Sequence, residues 1–461
     1  MIPVVRTDYD VLVLGAGSGG YACALRAAQL GLDVGLIEES RLGGTCLHQG
    51  CIPTKALLHA AEVADSAREA DRFGVRATLE GIDVPRVLEY QQGVVDRLFR
   101  GLTGLVKGRG ITLIEGRGEF VGPREIEVDG AIHRGRHVVV ATGSASRTLP
   151  GLGVDGERVL TSDHAVRLDR VPSRAVVVGG GVIGCEFASA WRSFGSEVTI
   201  VEAADRLLPS EDEASSAALA RAFGKRGITV RTATAFASIA HTGDGVALTV
   251  ADGSVIEADV VLVAVGRGPL TDGIGLEKAD VTLEHGLVVV DEFCRTSAEG
   301  TYAVGDIVAG PQLAHRGFAQ GILVAEHIAG LAPQPIDEAG IPRVTYSRPE
   351  VASVGLTEAA ARGRYGGGGR TLVYDLAGNG KSQILRTQGS IKLVQAPGGA
   401  VVGLHLVGER VGELIGEAQL IYGWDAHAED VAPLVHAHPT QNEALGEAHL
   451  ALAGKPLHAH G

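Results

Sequence analysis

Cys46 and Cys51 lie in the run GGTCLHQGCIPTKALLHAAEVA, separated by four residues. Two thiols this close can form an intramolecular disulfide, and a dithiol can open such a bond by exchange. Pro53 is well tolerated in a helix's first turn, and Ala56, Leu57, Ala60, Ala61 and Ala64 follow with helical spacing. The pattern predicts a helix beginning close to Cys51, where the positive end of the dipole favours a thiolate. The alternatives are a zinc half-site or two buried structural cysteines. Zinc usually draws on two ligand pairs at shorter spacing, and the sequence has no second Cys pair. Cys23 and Cys185 on helices, and Cys294 near a strand end, read as packing residues.

A second group with chemical potential is HAHPTQNEA, which carries His436, His438 and Glu443. By residue type alone, His-x-His is a metal site, part of a His-rich tail (His449, His458 and His460 follow) or half of an acid–base pair. Pro439 fixes the backbone after His438, and Glu443 could orient the imidazole and raise its basicity. The residues themselves leave these options open.

The elements that must position such groups announce themselves by repetition. VLVLGAGSGG and VVVGGGVIG are each an apolar strand running into a glycine-rich turn. Gly15, Gly17 and Gly20, with Ala24, Gly31 and Glu38, recur as Gly179, Gly181 and Gly184, with Ala188, Gly195 and Glu202, every pair 164 residues apart. The first glycine makes the strand-to-helix turn, the second admits a pyrophosphate to the backbone, and the third lets helix and strand pack closely. The helix N-terminus then offers free N–H groups and a positive dipole end to phosphate. Glu38 and Glu202 close the second strand of each copy, where a carboxylate can accept ribose hydroxyls. A carboxylate at Glu202 repels a 2′-phosphate, and Ala203 and Ala204 supply no cation, although Arg206 is not far away. NAD is therefore expected over NADP.

Composition sets the outer bounds. A chain of 461 residues suggests roughly three domains. With 55 acidic against 41 basic residues, a net charge of −14 argues against nucleic acid as a partner. Five cysteines in such a length exclude a disulfide scaffold, and 66 glycines without a three-residue period exclude collagen. The longest apolar run near the middle, Val260–Val265, is too short for a membrane span. The N-terminal MIPVVRTDYD lacks the order of a secretory signal, so a reducing, cytoplasmic compartment is expected.

GGTCLHQGCIPTKALLH resembles the redox-active disulfide signature of the flavin-dependent pyridine nucleotide–disulfide oxidoreductases, and the resemblance spans essentially the whole chain. VVATGS at 139–144 and VAVGRGP at 263–269 resemble the chain crossings beside the two dinucleotides. TSAEGTYAVGD at 296–306, followed by QLAH at 312–315, resembles the second flavin motif. PRVTYSRPEVASVGLTE from Pro342, GLHLVGERVGELIGEA from Gly403 and HAHPTQNEA from His436 resemble the dimerisation domain.

The resemblance implies an α/β fold with two Rossmann-like units, the NAD unit inserted in the FAD unit, and a C-terminal α+β dimerisation domain. It places the FAD domain at 1–148, the NAD domain at 149–271, a central segment returning to the FAD domain at 272–341, and the interface domain at 342–461. The tetraglycine Gly366–Gly369 is expected as a surface loop of that last domain. FAD falls to Gly15, Gly17, Gly20, Glu38, Lys55, Gly118, Thr142, Gly143, Ser144, Asp306 and Ala314, and NAD to Gly179, Gly181, Gly184, Glu202 and Gly266. Lys55 and Glu186 form an ion pair near the flavin's reactive nitrogen in this reading; the bland alternative is an exposed Lys and a helix-surface Glu.

The implied activity is oxidation of dihydrolipoyl groups by NAD. His438, oriented by Glu443, takes a thiol proton, Cys46 is the interchange sulfur, and Cys51 faces the flavin. The implied partners are a second copy of the chain, whose disulfide the His438 segment reaches, and dihydrolipoyl-bearing domains of 2-oxoacid dehydrogenase or glycine cleavage complexes. No metal, nucleic acid or membrane is expected. A reductase of a low-molecular-weight disulfide and a flavin-bound sensor without turnover are the rival readings. His48-Gln49, Leu270 and Gln320 depart from the commonest family pattern.

Overall fold

The computed structural model describes residues 7–458, so His460 lies outside the described residues. The chain divides into two compact units: Met1–Leu57 with Pro85–Arg147 and Gly266–Ile336, and Leu58–Val84 with Thr148–Val265 and Asp337–Gly461. The breaks fall after Arg147, Val265 and Ile336, and the segment Leu58–Val84 groups with the second unit.

In the first unit, Thr112–Glu115, Val34–Glu38, Asp8–Leu14 and Ala131–Val140 lie side by side as parallel strands. The other edge of Ala131–Val140 is shared. Thr301–Ala303 pairs in parallel with its last residues, and Glu125–Val128 pairs antiparallel with its first. Gly118–Gly122 completes this antiparallel ribbon. Val11–Leu14 and Val138–Val140 are buried without alternation, as expected for strands covered on both faces. Helix Ser18–Gln29 packs against helix Ala314–Ile328 over one face. The separation is set by glycine, since a Cβ on Gly321 would strike the backbone at Gly19 and Cys23. The 25-residue helix Val84–Gly108 carried no motif that would have announced it.

The second unit repeats the plan. Ile228–Arg231, Glu197–Val201, Arg174–Val178, Val260–Val263 and Val159–Leu160 form an all-parallel sheet in that order. An antiparallel meander of Phe236–His241, Val246–Val250 and Val255–Ala258 packs its apolar face into the same core. The apolar run expected to be too short for a membrane is thus an interior strand. No helix among the described residues is long and apolar enough to cross a bilayer.

The same unit contains a five-stranded antiparallel sheet, ordered Arg343–Thr345, Glu350–Gly355, Val401–Gly408, Ser390–Gln395 and Arg370–Asp375. Helices Val411–Gly423 and Glu443–Leu452 cover it, and their apolar sides close a core around Leu404, Leu406, Leu445 and Leu452. This α+β arrangement is the expected C-terminal fold. Gly366–Gly369 is an exposed connection between helix Glu358–Tyr365 and strand Arg370–Asp375, as anticipated.

The C-terminal half of helix Cys51–Arg68 is anchored within this unit by a buried ionic hub. The Asp65 carboxylate meets Arg348 at 2.9 Å, Arg68 at 2.7 Å and Arg226 at 3.4 Å, and accepts from Ser193 Oγ at 2.7 Å. Arg226 also donates to Ser189 Oγ at 2.8 Å and to the Arg348 carbonyl at 2.9 Å. Burial pulls the Arg226 pKa down to about 10. Removing Asp65 would leave the mostly buried Arg226 without its nearest carboxylate, whereas Arg348 keeps Glu69 at 3.0 Å. Asp65→Ala is therefore expected to lower unfolding stability by about 3 kcal/mol, measured by urea titration of the holoprotein; a loss indistinguishable from zero would contradict the assignment.

Candidate active site

The two glycine turns superimpose in conformation as well as in sequence. Gly15 and Gly179 have φ of +99° and +111°, a region disfavoured for residues with a Cβ. A Cβ on Gly20 would fall onto the carbonyl oxygen of Gly15, and one on Gly184 onto that of Gly179. Gly17 and Gly181 cap helices Ser18–Gln29 and Val182–Phe194 with nearly equal angles, φ −70° and −74°. Neither N-terminus has a capping side chain or an acid in its first turn, and a Cβ on either cap residue would meet open space. Helix N–H groups without a protein acceptor, behind a turn that gives the backbone clear approach, suit a pyrophosphate.

The acids that close the second strands behave alike. Glu38 accepts from Ala16 N at 2.7 Å and Ser40 N at 2.9 Å. Glu202 accepts from Gly180 N at 2.5 Å and Ala204 N at 2.6 Å. Each carboxylate thus braces its own glycine turn and keeps further lone pairs for hydroxyl donors. Burial pushes the Glu38 pKa above the ordinary carboxylate range, against the pull of its N–H donors. Arg206, the nearest candidate for a 2′-phosphate, instead donates to the Pro209 carbonyl at 3.1 Å and faces Asp205 at 3.7 Å.

The cysteine segment lies directly on the first turn. Gly43 N donates to the Ala16 carbonyl at 2.9 Å, and a Cβ on Gly44 would stand 2.7 Å from Gly17 Cα. Cys46 sits on a short helix, Gly44–His48, and Cys51 opens the helix Cys51–Arg68 with Pro53 in its first turn. Both are thiols here, and they are hydrogen-bonded to each other. That bond raises the Cys46 pKa well above the usual thiol range, followed by burial and by the charge on Cys51, while Lys55 acts in the opposite direction. Among the described residues no three His, Cys, Asp or Glu are grouped to hold a metal ion.

Tyr21 belongs to this neighbourhood and was not anticipated. Burial, then the nearby charges of Cys46 and Cys51, push its pKa up to about 12, so it stays a neutral phenol. Its one sequence signal was its place in the first turn of the phosphate-facing helix. Cys23 and Cys185 are buried in helices, and Cys294 in the core, as packing residues should be.

The remaining residues of the first unit form a hydrogen-bonded set. Ser144 Oγ donates to Asp306 Oδ2 at 2.5 Å and accepts from Arg267 Nε at 2.8 Å. Ser144–Ser146 pairs with Arg267–Pro269, so the two crossing segments form one small ribbon. Thr142 Oγ1 donates to the Leu270 carbonyl at 2.7 Å, and Leu270 N donates to the carbonyl of Gly143. Leu270 thus contributes to the ribbon through its backbone. Gln320 accepts from Gly305 N at 2.8 Å and steadies the turn that holds Asp306. His48 packs edge-on to Phe99 and meets the Leu42 carbonyl at 2.9 Å. Gly118 offers a ligand only backbone, because its side-chain volume is taken by Leu14, Ile126 and Ile37. Ala314 opens a helix, and Gly266 has a φ of +105°.

In the second unit, His438 Nδ1 lies 2.8 Å from Glu443 Oε2, and the imidazole is 73% exposed. With an ionised carboxylate as acceptor, Nδ1 carries the proton and Nε2 is left as a base. His436, by contrast, is largely buried against Glu417 at 2.8 Å, and Asn442 donates to the same carboxylate at 2.6 Å. The metal and His-rich-tail alternatives thus give way to two separate His–carboxylate pairs, and Glu417 is a residue that spacing could not supply. Glu186 is 2% exposed and accepts from Tyr346 N at 3.0 Å, which removes the helix-surface alternative for it.

The arrangement is that of a two-dinucleotide dithiol oxidoreductase. The chain belongs to the pyridine nucleotide-disulphide oxidoreductase family, whose model matches residues 9–321, with the family's dimerisation domain matching 341–449. It is 41% identical to a dihydrolipoyl dehydrogenase of Bacillus subtilis over 98% of this chain and 100% of that one. It is 40% identical to the dihydrolipoyl dehydrogenase of Thermus scotoductus, with 98% of each chain covered. The crystal structure of LpdA from Mycobacterium tuberculosis superimposes with a TM-score of 0.90 at 29% identity, covering 97% of this chain and 100% of that chain. Members of the family use FAD and NAD, and the two turns fit that pair.

The open space at Gly181 separates ligand effects from folding effects. Gly181→Ala is expected to leave the thermal midpoint unchanged and to raise KM for NAD about tenfold, the equivalent of ~1.4 kcal/mol. Gly184→Ala is expected to unfold the turn, because its Cβ meets backbone. Equal melting behaviour and equal KM in both variants would refute this division of roles.

Proposed function

We propose that this chain is a dihydrolipoyl dehydrogenase, oxidising protein-bound dihydrolipoyl groups with NAD. The observation that carries the reading is the hydrogen-bonded Cys46–Cys51 pair, seated on the glycine turn that faces a dinucleotide's phosphates. The full-length similarity to dihydrolipoyl dehydrogenases supports it.

In the resting enzyme Cys46 and Cys51 form a disulfide. His438 Nε2 takes the proton of one substrate thiol, with the charge on the imidazolium balanced by Glu443. The resulting thiolate attacks the Cys46 sulfur; the Cys46–Cys51 bond breaks, and its electron pair leaves on Cys51. The second substrate thiol then closes a ring on the first sulfur and displaces Cys46, which takes up a proton. In the two-electron-reduced protein the two sulfurs stay beside each other, and their mutual hydrogen bond raises the Cys46 pKa. Cys51, at the N-terminal end of helix Cys51–Arg68, is the sulfur placed to carry negative charge. Flavin, when bound, supplies two-electron acceptance and hydride delivery to the nicotinamide.

FAD would be held by Gly15, Gly17, Gly20, Glu38, Thr142, Gly143, Ser144, Asp306 and the Ala314 helix, and NAD by Gly179, Gly181, Gly184, Glu202 and Gly266. Lys55 would set its charge near the flavin. The chain acts as a homodimer through the domain matched at 341–449, the His438–Glu443 pair of one copy serving the cysteines of the other. Its partners are lipoyl domains of 2-oxoacid dehydrogenase or glycine cleavage complexes in the cytoplasm.

Anaerobic titration of the holoprotein with dihydrolipoamide is expected to produce a long-wavelength thiolate–flavin absorption band. Cys46→Ser should abolish dihydrolipoamide turnover yet retain FAD, and His438→Gln should lower kcat by roughly 10²–10⁴-fold. Full turnover in the Cys46 variant would sink the assignment of the pair.

A further inference from the structure

The hydrogen-bond chain that begins at His438 does not stop at Glu443. Glu443 Oε2 faces the imidazole, and its other oxygen, Oε1, accepts from Nδ2 of Asn379 at 3.2 Å. Asn379 is 2% exposed and caps the short helix Gly380–Leu385. Its amide orientation is dictated by its neighbours. Ser382 donates to Oδ1 through both its backbone N, at 2.9 Å, and its hydroxyl, at 3.0 Å. Only the oxygen can accept from a backbone N–H, so the nitrogen must face the other way. There it meets the Thr440 carbonyl at 2.9 Å and the Glu443 carboxylate. Both amide protons are thus committed, one to the backbone of the catalytic segment and one to its carboxylate. The next residue, Gly380, lies under the imidazole, since a Cβ there would stand 3.6 Å from His438 Cε1.

We propose that Asn379 is a positioning residue for thiol oxidation, fixing the plane of the Glu443 carboxylate and thereby the imidazole that takes the substrate proton. The proposal rests on the reading of His438 as the base. One hydrogen bond to His438 leaves a carboxylate able to twist about its last torsion; a second donor, on the other oxygen, removes that freedom. The donor is held in turn by Ser382 and by Thr440, which ties the loop before Glu443 to the loop before helix Gly380–Leu385. Aspartate at this position would match the shape of asparagine, yet it would lose both donors and set a carboxylate against a carbonyl and against Glu443.

The test compares wild-type holoenzyme with Asn379→Asp, Glu443→Gln and the double variant. Two assays are read: dihydrolipoamide oxidation by NAD, and NADH oxidation by ferricyanide, which makes no use of His438. Asn379→Asp is expected to lower kcat for dihydrolipoamide about tenfold, with KM and the ferricyanide rate unchanged. In the Glu443→Gln background the same change should cost less than about twofold, because the two residues act as one unit. Unaltered kcat in Asn379→Asp, or independent effects that multiply in the double variant, would overturn the proposal. Should Asn379→Asp fail to retain flavin, Ser382→Ala loosens the amide without removing it. That variant should lower kcat about twofold to threefold, again without additivity, and a wild-type rate would be contrary evidence. A wild-type enzyme that reduces ferricyanide but leaves dihydrolipoamide untouched would instead sink the functional reading, and this proposal with it.

Discussion

The molecule is organised around a contact that leaves no room for a side chain. At Gly20 and again at Gly184, the first turn of a helix sits on the carbonyl of the glycine that ends the preceding strand. Only that proximity aims the helix's unsatisfied N–H groups at the space above the strand ends. The bracing carboxylates of Glu38 and Glu202 then hold the turns from behind. The redox segment depends on the first of these turns, because Gly44 rides on Gly17 and the Gly43 N–H is bound to Ala16. A residue with a Cβ at Gly20 or Gly44 would displace the first phosphate cradle and the cysteine segment together.

Within that frame, burial decides what chemically similar groups do. His436 and His438 are two residues apart, and each faces a glutamate at 2.8 Å. The His436–Glu417 pair is largely withdrawn from solvent and also binds Asn442, so it clamps the segment. The His438–Glu443 pair leaves its second ring nitrogen accessible and can accept a proton from outside. The cysteines divide in the same manner. Cys23 and Cys185 are enclosed thiols whose pKa burial pushes upward, Cys23 to about 12, while Cys46 and Cys51 are partly exposed and face each other.

Some of this was legible from the residues because the chemistry is local. Glycines fixed at three positions after an apolar strand have a conformational meaning wherever they occur, and the 164-residue repeat made chance untenable. Cys46 and Cys51 are likewise close enough in sequence to be close in space under any fold. His438 and Glu443, five residues apart, meet at 2.8 Å for the same reason. What went unread involves partners far apart in the chain. Glu417 lies 19 residues from His436, Asn379 lies 64 from Glu443, and Asp65 lies more than a hundred from Ser193, Arg226 and Arg348. Tyr21 and the backbone role of Leu270 were missed because neither has a motif of its own.

The residues alone specify the two glycine turns, the closeness of Cys46 to Cys51 and the class of fold, since each follows from short-range geometry and from covalent chemistry that no tertiary context can change. Folding in three dimensions sets which histidine is buried and which is exposed, which carboxylates brace a turn and which face an imidazole, and what holds Glu443 in place. Those outcomes depend on burial and on hydrogen bonds between segments whose approach is set by packing, and packing is not written in any short stretch of residues.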